Sequence, residues 1–184
     1  ARHLSPAVMS YHGIQYQSMA PEVMDAEQLA WLQSHLWILS GLYGCVRPFH
    51  AVEPYRLEMG AKLAVDDARD LYAFWGDKLA RAIAPAGSNA TIVNLASVEY
   101  AKAVLPHLAD DATAVTCLFG EGIRNGKPIQ RSTASKKARG SMVRWMAENK
   151  LEDASELTAF NIGYRHIPEL SDKNTLVFMN AQAQ

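Results

Sequence analysis

The sequence has 184 residues, 49% apolar and 20% charged, an ordinary balance for a soluble globular protein with one sizeable core. Its formal net charge of −1 excludes a polycation, so any nucleic-acid binding must rest on a local basic patch. Two cysteines, Cys45 and Cys117, are too few for a disulfide framework and lack zinc spacing, and no apolar run spans a bilayer.

Residues 1–24 read as a strand or turn region around "SPAVMSYHGIQYQSM", and no signal peptide is read there. A helix then starts with Asp25 as N-cap. It carries Leu29, Leu32, Leu36 and Leu39 on one stripe and takes Gly41 as a left-handed stop. "EPYRLEMG" (53–60) reads as an extended or looped segment. A helix over about 69–84 turns Leu71, Trp75, Leu79 and Ala82 to one face. "TIVNLAS" (91–97) is a strand whose Ser97 caps a short helix ending before Pro106.

"ATAVTCLFGEG" and "KPIQRST" are two strands joined through "RNGK", an Asn-Gly hairpin signal. A long helix follows over roughly 134–150, then a short capped turn near Asp153–Thr158. "IGYRHIPEL" and "TLVFMN" pair across "SDKN" as a final hairpin. The elements alternate irregularly. They predict one α/β domain of mixed α+β character, its mixed, partly antiparallel sheet flanked by helices in an unusual topology.

The helix "ASKKARGSMVRWMAENK" holds the clearest chemistry. With Lys136 at about zero, Lys137 and Arg144 fall at about 80–100° and Arg139 at about 300° around the axis. Ala134, Ala138, Met142, Trp145 and Met146 occupy the opposite side. Gly140 sits within the basic arc, where a mid-helix glycine costs about 1 kcal/mol relative to alanine. It either opens the ridge to a phosphate or serves helix packing.

In "LSGLYGCVRPF", Gly41 and Gly44 bracket Leu42-Tyr43, and Arg47-Pro48 follows. The pattern is reminiscent of a helix-hairpin-helix, in which bared amides donate to a DNA phosphate. The plainer alternative is a structural turn packed by Leu42 and Tyr43. A third cluster brings Arg56 and Glu58 together with Asn94, Ser97, Glu99 and Tyr100, either as an anion-binding cleft or as ion pairs and caps. No Gly-rich phosphate loop is present, because "RNGKPI" lacks the spacing. His3, His12, His35, His50, His107 and His166 are scattered without ligand spacing, so no metal and no cofactor is expected.

"HLWILSGLYGCVRPFHAVEPYRLEMG", "DLYAFWGDKL", "IVNLASVEY", "SKKARGSMVRWM" and "LTAFNIGY" occur in this order. In order and spacing they resemble the YaaA family of bacterial peroxide-stress proteins, from about Tyr11 to Met179. The resemblance implies a mixed α/β fold with a positively charged cleft and binding to double-stranded DNA. It also implies a cytoplasmic role in limiting oxidative damage, in part by lowering reactive iron. Matching positions are Gly41, Tyr43, Gly44, Arg47, Tyr55, Arg56, Glu58, Trp75, Asn94, Ser97, Glu99, Tyr100, Lys136, Lys137, Arg139 and Gly140. Family members carry several dozen further residues ahead of this start, so the sequence is expected to lack an N-terminal segment.

The leading expectation is a non-enzymatic protein that binds duplex DNA with little sequence preference, without a membrane or an obligate protein partner. Lys136, Lys137, Arg139 and Arg144 would meet phosphates, with amides around Gly41 and Gly44 beside them. The alternative is an enzyme acting on a small phosphate- or carboxylate-bearing substrate. Arg56 and Lys137 would hold the anion, Glu58 or Glu99 would act as acid or base, Tyr100 would orient it, and Asn94 would line the cleft. Direct iron binding is a third, weaker reading, because no His/carboxylate cluster has ligand spacing.

Overall fold

The computed structural model describes residues 4–182; His3 lies outside them. In chain order, strand β1 (Ser5–Pro6) leads into helices α1 (Ala7–Ser10), α2 (Ile14–Met19) and α3 (Ala26–His35). Strands β2 (Ile38–Ser40), β3 (Gly44–Val46) and β4 (Ala51–Val52) follow. After an irregular segment come α4 (Leu71–Trp75), α5 (Lys78–Ile83), β5 (Thr91–Asn94) and α6 (Val98–Ala101). The remainder is β6 (Thr113–Gly120), β7 (Ile123–Arg124), β8 (Lys127–Pro128), α7 (Ser132–Glu148), β9 (Tyr164–His166) and β10 (Thr175–Asn180). The fold is α/β, with a mixed sheet flanked by helices.

The chain forms two compact units. The first comprises the N-terminal residues through Ser10 with Gln33–Ile92 and Ala96–Ala114. Its core gathers Met59, Leu71, Leu79, Ala80, Ala103 and Val104, with Trp75, Tyr72 and Tyr100 packed against them. Asp70 starts α4 by accepting from the Ala73 amide at 2.8 Å. The predicted single helix over 69–84 is broken at Gly76, whose φ is 50°. The break shifts the buried stripe, so Ala80 and Ala84 are buried and Ala82 is exposed.

The second unit comprises Tyr11–Leu32, Val93–Leu95 and the chain from Val115 onward. Its sheet has the order β5-β6-β10-β9. β6 and β10 run parallel while β9 and β10 run antiparallel, which gives the partly antiparallel sheet and the final hairpin that the pattern predicts. Val115, Cys117 and Phe119 alternate inward along β6, as a half-buried strand requires. Phe119 stacks on Phe178 at 5.5 Å, and Phe160 meets both edge-on. Burying each such ring contributes roughly 1.5–3 kcal/mol.

Residues 7–23 depart from the strand reading and fold as α1, α2 and a 3-10 turn at Pro21–Val23. These pieces are too short to show a helical period, and α2 is held by packing on α7. α3 begins with a reciprocal box. The Gln28 amide donates to Asp25 Oδ1 at 2.8 Å, and the Asp25 amide donates to Gln28 Oε1 at 3.1 Å.

Candidate nucleic-acid interface

α7 covers the predicted basic helix, and its polar face carries the exposed Lys136 and Lys137. Neither has an ion-pair or hydrogen-bond partner among the described residues. Arg139 is half-buried, again with no carboxylate, carbonyl or ring partner among the described residues, and burial lowers its pKa. Arg144 differs. Its Nε donates to Glu148 Oε1 at 2.7 Å, an ordinary i,i+4 pair, so it is already neutralised.

Gly140 is not an opening for phosphate. It is buried, and a Cβ there would lie 2.0 Å from the Gln15 carbonyl oxygen and 3.0 Å from the Met19 amide nitrogen. α2 fills the space. On a helical wheel Gly140, Val143 and Ala147 fall together, and all three are buried. α7 therefore buries two faces, one toward the aromatic core and one under α2, and the glycine serves close helix packing.

The basic character extends beyond the helix. From Gly122 to Ala147 the chain carries Arg124, Lys127, Arg131, Lys136, Lys137, Arg139 and Arg144 without one Asp or Glu. Only Arg144 has an ion-pair partner among the described residues. The flanking carboxylates are both engaged, since Glu148 holds Arg144 and Glu121 accepts from Tyr164 Oη at 2.5 Å and Asn180 Nδ2 at 2.9 Å. Burial and the Glu121 contact push the Tyr164 pKa up. Sequence reasoning centred on the helix missed Arg124, Lys127 and Arg131. Counting charge by sign along a window would have found them.

The double-glycine segment is a β-hairpin, not a helix-hairpin-helix. α3 stops at His35, Ile38 pairs with Val46 and Ser40 with Gly44, and no helix follows Pro48. Leu36 and Leu39 prolong the apolar period of α3, but the β2–β3 pairing overrides it. Gly41 is no left-handed stop. A Cβ there would sit 2.6 Å from the Leu57 carbonyl oxygen, so this glycine admits the backbone of the 53–60 segment. Gly44, at φ 74°, lies against the Trp75 ring, 2.7 Å from where its Cβ would be. The amides of Leu42 and Tyr43 donate to the buried Ser40 Oγ at 3.2 and 2.9 Å. They are not donors for a phosphate.

Arg47 is likewise occupied. Its Nη1 donates to the Ser34 and Leu36 carbonyls at 3.0 and 3.3 Å, and its guanidinium lies 3.8 Å over the Trp37 ring. It closes the carboxyl end of α3, a structural duty. Burial, the larger influence, lowers its pKa.

The cleft residues also hold the fold. Burial alternates along "PYRLEMG", with Met59 buried and Arg56 and Glu58 exposed. Arg56 and Glu58 form a loose pair at 3.7 Å, 93% and 70% exposed, too open to bind an anion tightly. Tyr55 Oη and Ser40 Oγ are hydrogen-bonded at 2.5 Å, and the Gly60 amide donates to Glu99 Oε1 at 2.7 Å. Glu99 is thus an anchor for the loop, and Tyr100 packs on the core beside it. Asn94 Nδ2 donates to Thr116 Oγ1 at 3.1 Å, clasping β5 to β6. Ser97 stands at the N-cap of α6 without a side-chain cap bond. The suggested catalytic set Glu58, Glu99 and Tyr100 therefore divides into a surface pair, a loop anchor and a core ring.

Burial raises the pKa of Cys45, and it pushes that of Cys117 up to about 12, so both remain thiols at neutral pH. Among the described residues no group of three or more His, Cys, Asp or Glu could hold a metal ion, and no helix is long and apolar enough to cross a membrane.

The molecule is thus an α/β protein in which an acid-free basic run spans the β7–β8 hairpin and most of α7, the helix packing against an aromatic core. The family model described as "Peroxide stress protein YaaA" matches residues 1–170. A UPF0246 protein of Pediococcus pentosaceus is 49% identical over 177 residues, covering 96% of this chain and 69% of the relative. Another, from Desulfitobacterium hafniense, is 44% identical over 183 residues, covering 99% and 72%. A third, from Lachnoclostridium phytofermentans, is 45% identical over 182 residues, covering 98% and 70%. The chain belongs to the YaaA peroxide-stress family, also called UPF0246.

Proposed function

We propose that this protein binds double-stranded DNA through its phosphates, without strong sequence preference, and so shields it during peroxide stress in the cytoplasm. The observation that carries the reading is the stretch from Gly122 to Ala147, rich in cations and free of Asp and Glu, with Lys136, Lys137 and Arg139 lacking ion-pair partners among the described residues. Unneutralised cations release condensed counterions when they meet a phosphate backbone. They carry no base code, so binding is weakly specific and strongly salt-dependent. Arg139 adds a second incentive, because an incoming phosphate compensates its partial loss of water.

The test is a salt titration of binding to a labelled mixed-sequence duplex. Log affinity should fall against log salt with a slope of about −3 or steeper. Lys136→Ala/Lys137→Ala should make that slope shallower by roughly 1.8. A flat response in the unaltered protein would refute the reading. Lowering of reactive iron is proposed as an indirect effect. A rise in thermal midpoint on adding ferrous iron alone would overturn that part.

A further inference from the structure

The β7–β8 hairpin holds an arrangement that its own stability does not explain. Register pairs Arg124 with Lys127 and Ile123 with Pro128. Directly opposed residues share a face, so the two cations stand together on one side of the ribbon. Like charges directly opposite disfavour a strand pair, and no carboxylate among the described residues neutralises either. The ribbon is firmly built all the same. Asn125 and Gly126, at φ 51° and 73°, form the tight type I′ turn, and Pro128 faces Ile123 where the ladder ends. The Glu121 amide donates to the Ile129 carbonyl at 2.9 Å and the Ile129 amide to the Gly122 carbonyl at 2.7 Å, which roots the hairpin at the end of β6.

We infer that this hairpin is a phosphate-gripping element for duplex DNA, with Arg124 and Lys127 closing on the backbone. The inference rests on the DNA-binding reading above and adds a second contact element to it. A tight-turned tip with two opposed, unneutralised cations is complementary to a dense row of negative charge. The same uncompensated run continues along the chain through Arg131 to Lys136 and Lys137, which favours a polyanion over a small anion. A two-stranded ribbon is also narrow enough to enter the major groove while its cations reach the phosphates.

The experiment uses the whole chain, a labelled mixed-sequence duplex and inorganic phosphate as the small-anion competitor. In Arg124→Ala/Lys127→Ala, affinity at about 0.1 M salt should fall roughly tenfold or more, and the salt slope should become shallower by roughly 1.8. Arg124→Lys keeps the charge and should keep the slope. The thermal midpoint of the double variant should hold or rise, since a like-charge opposition is removed. Wild-type affinity and slope in the double variant would overturn the hairpin while leaving DNA binding to the Lys136/Lys137 test. Lost affinity together with a lower midpoint would mark a structural role and also overturn it. Phosphate competing at low millimolar concentration would replace the polyanion with a small ligand. An unaltered protein that does not bind the duplex would remove both proposals.

Discussion

Just past the β2–β3 hairpin, Arg47 gives up water but gains the Ser34 and Leu36 carbonyls and the face of Trp37. In α7, Arg139 gives up water and gains no such partner among the described residues. Both feel burial as a lowered pKa, so the same force acts on each. The first region is closed chemically. Its amides at Leu42 and Tyr43 serve Ser40, and its glycines admit the Leu57 backbone and the Trp75 ring. In the basic run from Gly122 to Ala147, every cation but Arg144 lacks an ion-pair partner among the described residues. Which cations are compensated, and not how many there are, separates the scaffold region from the proposed interface.

That comparison breaks most visibly at Gly140. If α2 fills the space over it, Gly140→Val should destabilise the protein by about 3 kcal/mol in a denaturant titration. A stable variant that merely lost DNA affinity would return the glycine to the interface. Arg47→Met should remove about 1–2 kcal/mol of stability and leave DNA affinity unchanged. The opposite pattern would erase the distinction between the regions. Arg139→Met should weaken DNA binding about tenfold. It should also raise stability by up to about 1 kcal/mol, because an uncompensated guanidinium leaves a partly dry site. Arg144→Ala should cost only about 0.3–0.5 kcal/mol, the worth of an exposed i,i+4 pair.

The α/β class, the α7 helix, the Asn-Gly hairpin and the final β9–β10 pairing were legible because each has a local signal: a period, a turn dipeptide or an alternation. The end of α3 was misread because "LWILS" continues its leucine period while the pairing partner of that segment lies across the turn, whereas the structural turn at the two glycines was one of the two readings the sequence offered. At Gly140 the sequence left two readings open for a related reason, and close helix packing is the one the structure supports. A wheel shows which residues share a face, yet cannot show that α2, itself too short to display a period, lies on the basic side. The roles of Arg47, Glu99 and Asn94 were hidden because their partners, Ser34 and Leu36, Gly60, and Thr116, are separated in sequence and meet only on folding. The family blocks were legible throughout, and most of their unusual residues turn out to hold the scaffold together.

The central claim is that the uncompensated cations of α7 meet a phosphate backbone. The direct measurement is the salt dependence of duplex binding for the unaltered protein beside Lys136→Ala/Lys137→Ala/Arg139→Ala, with folding checked by thermal midpoint. The account predicts a slope shallower by roughly 2.7 in the triple variant at an undiminished midpoint. Equal slopes and equal affinities for the two proteins would contradict it.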